Sequence, residues 1–274
     1  MFSNIRRFWW QITGVLLFNF PFLERLTFAW LPVPVLNCYS CPLAQGACPI
    51  GTIQHFFVIG AIPFFAFGVM GVFGMMAGRF YCGHLCPFGF LQDLLARINK
   101  RHIRLPRFLD YGKYVSLVLL VIVMPFIVHE PFFCTLCPVG TLEAGIPLVM
   151  KDWIDIKFAS PDTFMVGMGL INMVGWWFWI KLGLLAALIV GSVFVKRPFC
   201  RMACPLGAIF GLFNRISLFV HPPKPGGPGE KIRYNLKNCP VHIVRPEDVD
   251  SHSCLKCREC YIHPADATKD NVTA

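Results

Sequence analysis

The sequence predicts an all-α integral membrane protein, with about four transmembrane helices in two parallel repeats and a small polar domain at the C-terminus. Three observations predict it. Of 274 residues, 55% are apolar and only 15% are charged, where a soluble chain carries about a quarter charged residues; mean hydropathy is +0.57. Apolar runs near the ~20 residues that cross a bilayer recur at roughly 9–31, 53–77, 113–130 and 174–196. Finally, one phrase occurs four times: cysteine, proline, an apolar residue, glycine, any residue, an aliphatic residue. The copies begin at Cys48, Cys86, Cys137 and Cys204.

Charge orders the four runs. Segment 78–113 carries Arg79, Arg97, Lys100, Arg101, Arg104, Arg107 and Lys113 against Asp93 and Asp110, so the positive-inside rule places it in the cytoplasm. Loop 32–52, without a charged residue, and the acid-rich loop 131–173 then lie outside. Lys196, Arg197 and Arg201 return the chain to the cytoplasm, which puts both termini inside. The net charge of +10 is thus spent beside apolar runs, which excludes nucleic acid and leaves membrane lipid as the surface partner. Arg6 and Arg7 ahead of an apolar stretch resemble a signal peptide. Pro21, Glu24 and Arg25 interrupt it and no small-x-small cleavage site follows, so an uncleaved first span is expected. Trp176, Trp177 and Trp179 are expected at the outer interface, and residues 163–173 as a re-entrant or interfacial helix.

The phrase has a direction. Each half runs from an outer Cys-Pro through a span to an inner Cys-x3-Cys-Pro, at Cys82–Cys86 in the first half and Cys200–Cys204 in the second. Arg79 and Arg197 each precede the first inner cysteine by three residues. Such a duplication is parallel, related by an axis along the membrane normal. The transmembrane part covers residues 1–220. His221 to Gly229 opens a Pro/Gly linker over 221–238, and residues 239–274 form the C-terminal domain.

Thirteen cysteines in Cys-x2-Cys and Cys-x3-Cys pairs before proline point to cluster ligation, since four thiolates hold a [4Fe–4S] cluster. Cys82, Cys86, Cys200 and Cys204 make an inner set, with Arg79, Arg197 and Arg201 placed to offset its negative charge. On the outer face Cys48, Cys134 and Cys137 need a fourth member. Cys41, nearer to Cys48 and followed by Pro42, is favoured, with Cys38 the alternative; a disulfide competes there because that compartment is oxidising. Cys239-Pro240 with Cys254, Cys257 and Cys260 completes a third set, in which a Cys-x2-Cys-x2-Cys run favours iron–sulfur over zinc. The C-terminal domain is therefore expected to be ferredoxin-like with a single cluster. His55, His84 and His129 near span ends are candidates for haem or quinone contact, and Glu130 and Glu143 for quinol protons, although a purely interfacial role suits each.

On the paired Cys-x3-Cys-Pro motifs, the spans between them and the C-terminal cysteines, the chain resembles the NapH/NosR/CcoG group of polyferredoxin-like membrane proteins. The resemblance implies an electron-transfer subunit of a prokaryotic inner membrane, working with other subunits of a redox complex. Its partners would be a quinone, a cytochrome or a soluble ferredoxin. The expectation is an electron conductor with three [4Fe–4S] clusters, a quinone or a partner's haem filling any gap between them. Two other readings compete: a redox-active assembly factor for a metalloenzyme, and a zinc and disulfide scaffold without electron flow.

Overall fold

Proline cannot continue a preceding helix but suits the first helical position, and each Cys-Pro phrase starts a helix. The computed structural model describes residues 2–19, 28–38, 40, 41, 44, 46–99, 102, 103, 105–150 and 175–218. In the C-terminal part it describes 236, 239–241, 243, 248, 249, 251–257, 259 and 260. The predicted linker start, His221 to Gly229, and the helix expected at 163–173 lie outside the described residues.

The described chain is mostly helical. Helix α1 (Phe2–Asn19) leads to β1 (Phe28–Pro32), which pairs in parallel with β2 (Gly46–Ala47). Then come α2 (Pro49–Val58), α3 (Phe64–Ala77), α4 (Phe80–His84) and α5 (Pro87–Ala96). The second round runs α6 (Phe108–Val128), α7 (Phe132–Leu136), α8 (Pro138–Met150), α9 (Trp176–Phe194), α10 (Pro198–Met202) and α11 (Pro205–Phe213). The order Cys-Pro helix, apolar helix, short cysteine helix, Cys-Pro helix thus occurs twice.

Two helices are long and apolar enough to cross a membrane, α6 and α9. Their most apolar stretches are only 22% and 11% buried, so their apolar side chains face outward rather than into a core, as lipid-facing helices do. They match the third and fourth predicted spans. α6 starts five residues before the predicted span, and Lys113, counted among the flanking cytoplasmic charges, is completely buried.

The other two predicted spans are not single helices. The last residues of the first, from Phe28, belong to the strand β1. The second divides at residues 59–63, where Gly60 takes φ +73° and Pro63 caps the next helix. A proline disfavours helical geometry in the residue before it, so α2 ends and α3 restarts. The 14 residues of α3 reach about 21 Å, short of the ~30 Å apolar core of a bilayer.

The two halves interlock. α3 of the first half packs on α11 of the second, and α9 of the second packs on α5 of the first. A Cβ on Gly74 of α3 would stand 2.6 Å from the Phe213 ring, so glycine permits the first contact. After each inner Cys-Pro helix the chain bonds to the end of the other half's apolar helix. Leu218 N–H donates to Met75 O at 2.7 Å, and Ile103 N–H to Phe194 O at 2.9 Å.

Asp93 on α5 ties the halves to α1. Arg197 Nε and Nη2 donate to its two oxygens at 2.7 and 2.5 Å, and Arg7 and Gln11 donate to Oδ2 at 2.5 and 2.7 Å. Burial alone would raise the Asp93 carboxyl. The Arg197 and Arg7 charges outweigh it and hold the group at about 2. Arg197 itself has a left-handed backbone, φ +52°, a conformation that persists only where surroundings over-determine it.

Asp93→Ala leaves the buried Arg197 guanidinium unpaired and takes from Arg7 one of its two carboxylates; it is expected to cost about 3–5 kcal/mol, read as the loss in unfolding free energy in detergent, and a loss under about 1 kcal/mol would contradict the ion-pair account. Because the folded carboxyl is depressed, this stabilisation is complete above the ordinary carboxylate value of ~4 and fades as pH falls toward 2. Unfolding measured against pH should show that acid step in the native chain and lack it in Asp93→Asn.

Candidate iron–sulfur sites

Cys48, Cys86, Cys137 and Cys204 each stand just before a helix. All four share one backbone conformation, with φ from −65° to −73° and ψ from 109° to 120°. This geometry aims the sulfur at the free N–H groups of the first turn. Gly207 N–H donates to Cys204 Sγ at 3.3 Å, and the amides of Gly51, Gly89 and Gly140 favour the thiolates of Cys48, Cys86 and Cys137 in the same way. The glycine of the phrase has a second use. A Cβ would stand tight against Cys82 O at Gly89, 3.1 Å away, and against Arg79 Nη2 at Gly207, 3.2 Å away, while at Gly140 it would meet only ordinary contacts.

The inner set is buried throughout: Cys82, Cys86, Cys200 and Cys204. Cys86 lies within electrostatic reach of Cys82 and Cys200, and Cys204 within reach of all three others. Two arginines hold the set from opposite halves. Arg79 Nη2 donates to Cys200 O at 3.2 Å, and Arg197 Nη1 to Cys82 O at 2.8 Å. Each guanidinium thus braces the first cysteine of the other half. Gln92 donates to Cys200 Sγ at 3.3 Å.

Of the three arginines expected to offset cluster charge, two are already neutralised. Arg197 pairs with Asp93 and Arg201 with Asp110 at 2.9 Å. Arg79 forms no ion pair among the described residues, nor does Lys113, which sequence reading counted only as a loop charge. Both sit within electrostatic reach of Cys82. Arg79 Nε is buried without a partner among the described residues. A buried cation without a carboxylate is costly unless an anion adjoins it, and a thiolate-ligated cluster is such an anion.

Cys38, Cys48, Cys134 and Cys137 line one partly open pocket, with Leu36, Ile50, Phe133 and Gly140 among its walls. Cys41 is not in that lining; its N–H donates to Cys38 O at 2.9 Å in a turn. Three anchors position Cys38. Asn37 donates to Phe18 O at 2.9 Å, Cys38 N–H donates to Glu143 Oε2 at 2.7 Å, and a Gly140 Cβ would lie 3.5 Å from Cys38 Sγ. None of these is visible as spacing, which is why sequence proximity to Cys48 favoured Cys41. Glu143 is thereby a structural partner of this site; burial pushes its carboxyl up to about 7 although the Cys38 amide opposes the shift. His84, by contrast, is stacked on Phe80 at 4.1 Å.

The third set gathers Cys239, Cys254 and Cys260, with Cys257 beside Cys254. Ile243 N–H and Lys256 N–H donate to Cys239 and Cys254 sulfurs at 3.5 and 3.4 Å. Arg7, missed in the sequence, binds Glu259 at 2.7 Å as well as Asp93.

None of the thirteen cysteines is joined in a disulfide. Burial pushes several well up, Cys48 to about 11 and Cys86, Cys137 and Cys260 to about 12, so ligation must displace their protons. Among the described residues no three His, Cys, Asp or Glu side chains converge as ligands of one metal ion. A multi-iron cluster makes a different demand, one cysteine per iron. Three sets of neighbouring thiols, each partly seated at helix starts or on backbone amides, fit that demand.

Comparison with known proteins agrees. A family model described as a 4Fe-4S binding domain matches residues 58–106, 114–156 and 176–223, together just over half the chain. An uncharacterized protein of Methanocaldococcus jannaschii is 27% identical over 78% of this chain and 81% of its own length. The regulatory protein NosR of Pseudomonas aeruginosa is 26% identical over 69% of this chain, which spans only 24% of NosR. YccM of Escherichia coli, a putative electron transport protein, is 24% identical over 84% of this chain and 59% of its own length. No solved structure matches. The chain belongs to the 4Fe-4S binding-domain family of NosR-type polyferredoxin-like proteins.

Proposed function

We propose that the chain is a membrane-bound electron-transfer subunit that holds three [4Fe–4S] clusters. Their ligands are Cys82, Cys86, Cys200 and Cys204 for the inner one, Cys38, Cys48, Cys134 and Cys137 for the outer one, and Cys239, Cys254, Cys257 and Cys260 for the C-terminal one. The observation that carries the reading is the repeated sulfur seat: a cysteine at a helix start, N–H groups behind it and a second cysteine before it, used at four places in the chain. Hydrogen bonds to sulfur and burial tune cluster potential, and both are present. The clusters would supply one-electron storage and transfer; the protein's part is to ligate, space and shield them.

In this reading the topology is that of the charge bias, with both termini cytoplasmic and the short apolar helices completing two parallel repeats. The inner and C-terminal sites then face the cytoplasm and the outer site faces away. Electrons pass between a cytoplasmic or quinone partner and an extracytoplasmic partner within a redox complex. Leu36 joins the two membrane sites: its amide favours the Cys86 thiolate, and it lines the outer pocket beside Cys38; the step between them therefore lies within the chain, and a quinone or a partner's haem belongs at either end of the path. The description of YccM as an electron transport protein supports this role over that of an assembly factor.

Anaerobically purified protein should hold about 12 iron per chain with matching sulfide and give cluster signals in EPR after reduction; zinc without such signals would overturn the reading. Cys38→Ser should remove the outer cluster and about four iron, whereas Cys41→Ser should leave all three; the reverse result would restore Cys41 as the ligand. Arg79→Gln or Lys113→Met should lower the potential of the inner cluster by on the order of 50–100 mV, the one-electron equivalent of roughly 1–2 kcal/mol. Arg201→Gln, removing a cation already paired, should shift it less. A potentiometric EPR titration that ranked them the other way would contradict the charge assignment.

A further inference from the structure

A Pro/Gly linker ahead of a small cysteine domain suggests a tethered, swinging carrier. The contacts around residues 251–257 describe something else. Asn214, at the end of α11, donates to Ser251 O at 2.7 Å and to Cys254 O at 2.8 Å. Its own oxygen accepts from Arg79 N–H at 3.0 Å. Arg79 Nη1 and Lys113 Nζ both donate to His252 O at 2.9 Å. His252 lies against the rings of Tyr111 and Tyr114, 5.3 and 5.9 Å away. Lys256 reaches Ser217, and Arg7 reaches Glu259 at 2.7 Å.

Two glycines set how close this segment comes. A Cβ on Gly83 would stand 2.8 Å from Leu255 O, and one on Gly211 would stand 2.8 Å from His252 O. Both obstacles are backbone atoms that cannot turn aside. Gly83 lies between Cys82 and Cys86, and Leu255 between Cys254 and Cys257. The ligand loop of one set therefore touches the ligand loop of the other, with no side chain between.

We propose that the C-terminal cysteine segment is a fixed relay clamped onto the inner set, with Gly83 fixing the approach of the two ligand loops. Arg79, Lys113 and Asn214 are the positioning residues that hold it there. One electron crosses at this contact: the donor set is oxidised by one electron and the acceptor set reduced by one, with no bond formed or broken and no proton moved. The proposal rests on the reading that both sets hold clusters. It adds that they exchange electrons directly within the chain, without a mobile domain or an intervening carrier.

The test uses the full-length holoprotein in detergent, reduced with dithionite and examined by EPR. Two reduced clusters in such contact should interact magnetically, seen as a split or broadened signal with fast spin relaxation. Gly83→Val should remove that interaction while both clusters remain. Asn214→Ala should weaken it, and hydrogen exchange over residues 251–257 should rise in both variants. Gly71→Ala, where a Cβ would meet open space, should change neither. Because Gly83 adjoins ligands, Gly211→Ala serves as a second displacing variant if Gly83→Val loses iron. Full iron with no magnetic interaction in the native protein, or an interaction that survives all the displacing variants, would overturn the inference. Iron well short of three clusters would instead overturn the functional reading beneath it.

Discussion

Everything in the inner half of the molecule depends on one reciprocal brace. Arg79 from the first half bonds the carbonyl of Cys200, and Arg197 from the second bonds the carbonyl of Cys82. Each cysteine pair is thus held partly by the other half. The helices repeat the exchange, α3 on α11 and α9 on α5, so the two halves specify one another. Burying two guanidinium groups in this way is expensive unless each is paired or faces an anion. Arg197 is paired with Asp93 and bears a left-handed backbone to reach it. Arg79 has no carboxylate among the described residues, and what adjoins it is a set of four thiols. The brace is stable in proportion to the negative charge that the thiols and their iron supply.

That electrostatic division carries into function. Arg197 and Arg201 are neutralised and act as scaffold, whereas Arg79 and Lys113 leave positive charge beside the sulfurs. The same two cations bond the His252 carbonyl. One pair of charges therefore faces the inner sulfurs and docks the segment bearing the next cysteine set. The outer site differs: apart from the thiols and Asn37 its walls are apolar, and a carboxyl, Glu143, stands behind Cys38. Two cluster sites with such different surroundings should differ in potential, the inner one favoured for reduction by nearby cations and the outer one disfavoured by its acid and its desolvation.

Much of this is legible in the residues. The fourfold phrase reads directly as four helix starts because proline and glycine act locally, and all four cysteines take one conformation. The spans at α6 and α9 are legible because twenty apolar residues leave few alternatives. The first two predicted spans misled because hydropathy ignores backbone breaks: Gly60 and Pro63 split one run, and a strand pairing with Gly46–Ala47 ends the other. The pocket position of Cys38, the stated alternative to Cys41, was not legible because the partners around it, Phe18 and Glu143, are far away in sequence. Asp93 and Lys113 were read as loop charges, since a positive-inside count cannot tell a solvated charge from one buried against a charged neighbour. Gly83 was invisible for a similar reason: a glycine between two ligands looks like a turn until the backbone opposite it is known.

The central claim is that the two halves share one inner cluster. It is tested most directly by comparing Cys82→Ser/Cys86→Ser with Cys200→Ser/Cys204→Ser in EPR and iron analysis. The shared site predicts that both variants lose the same single signal and about four iron each. Loss of two different signals would mean that each half carries its own cluster, and would contradict the account.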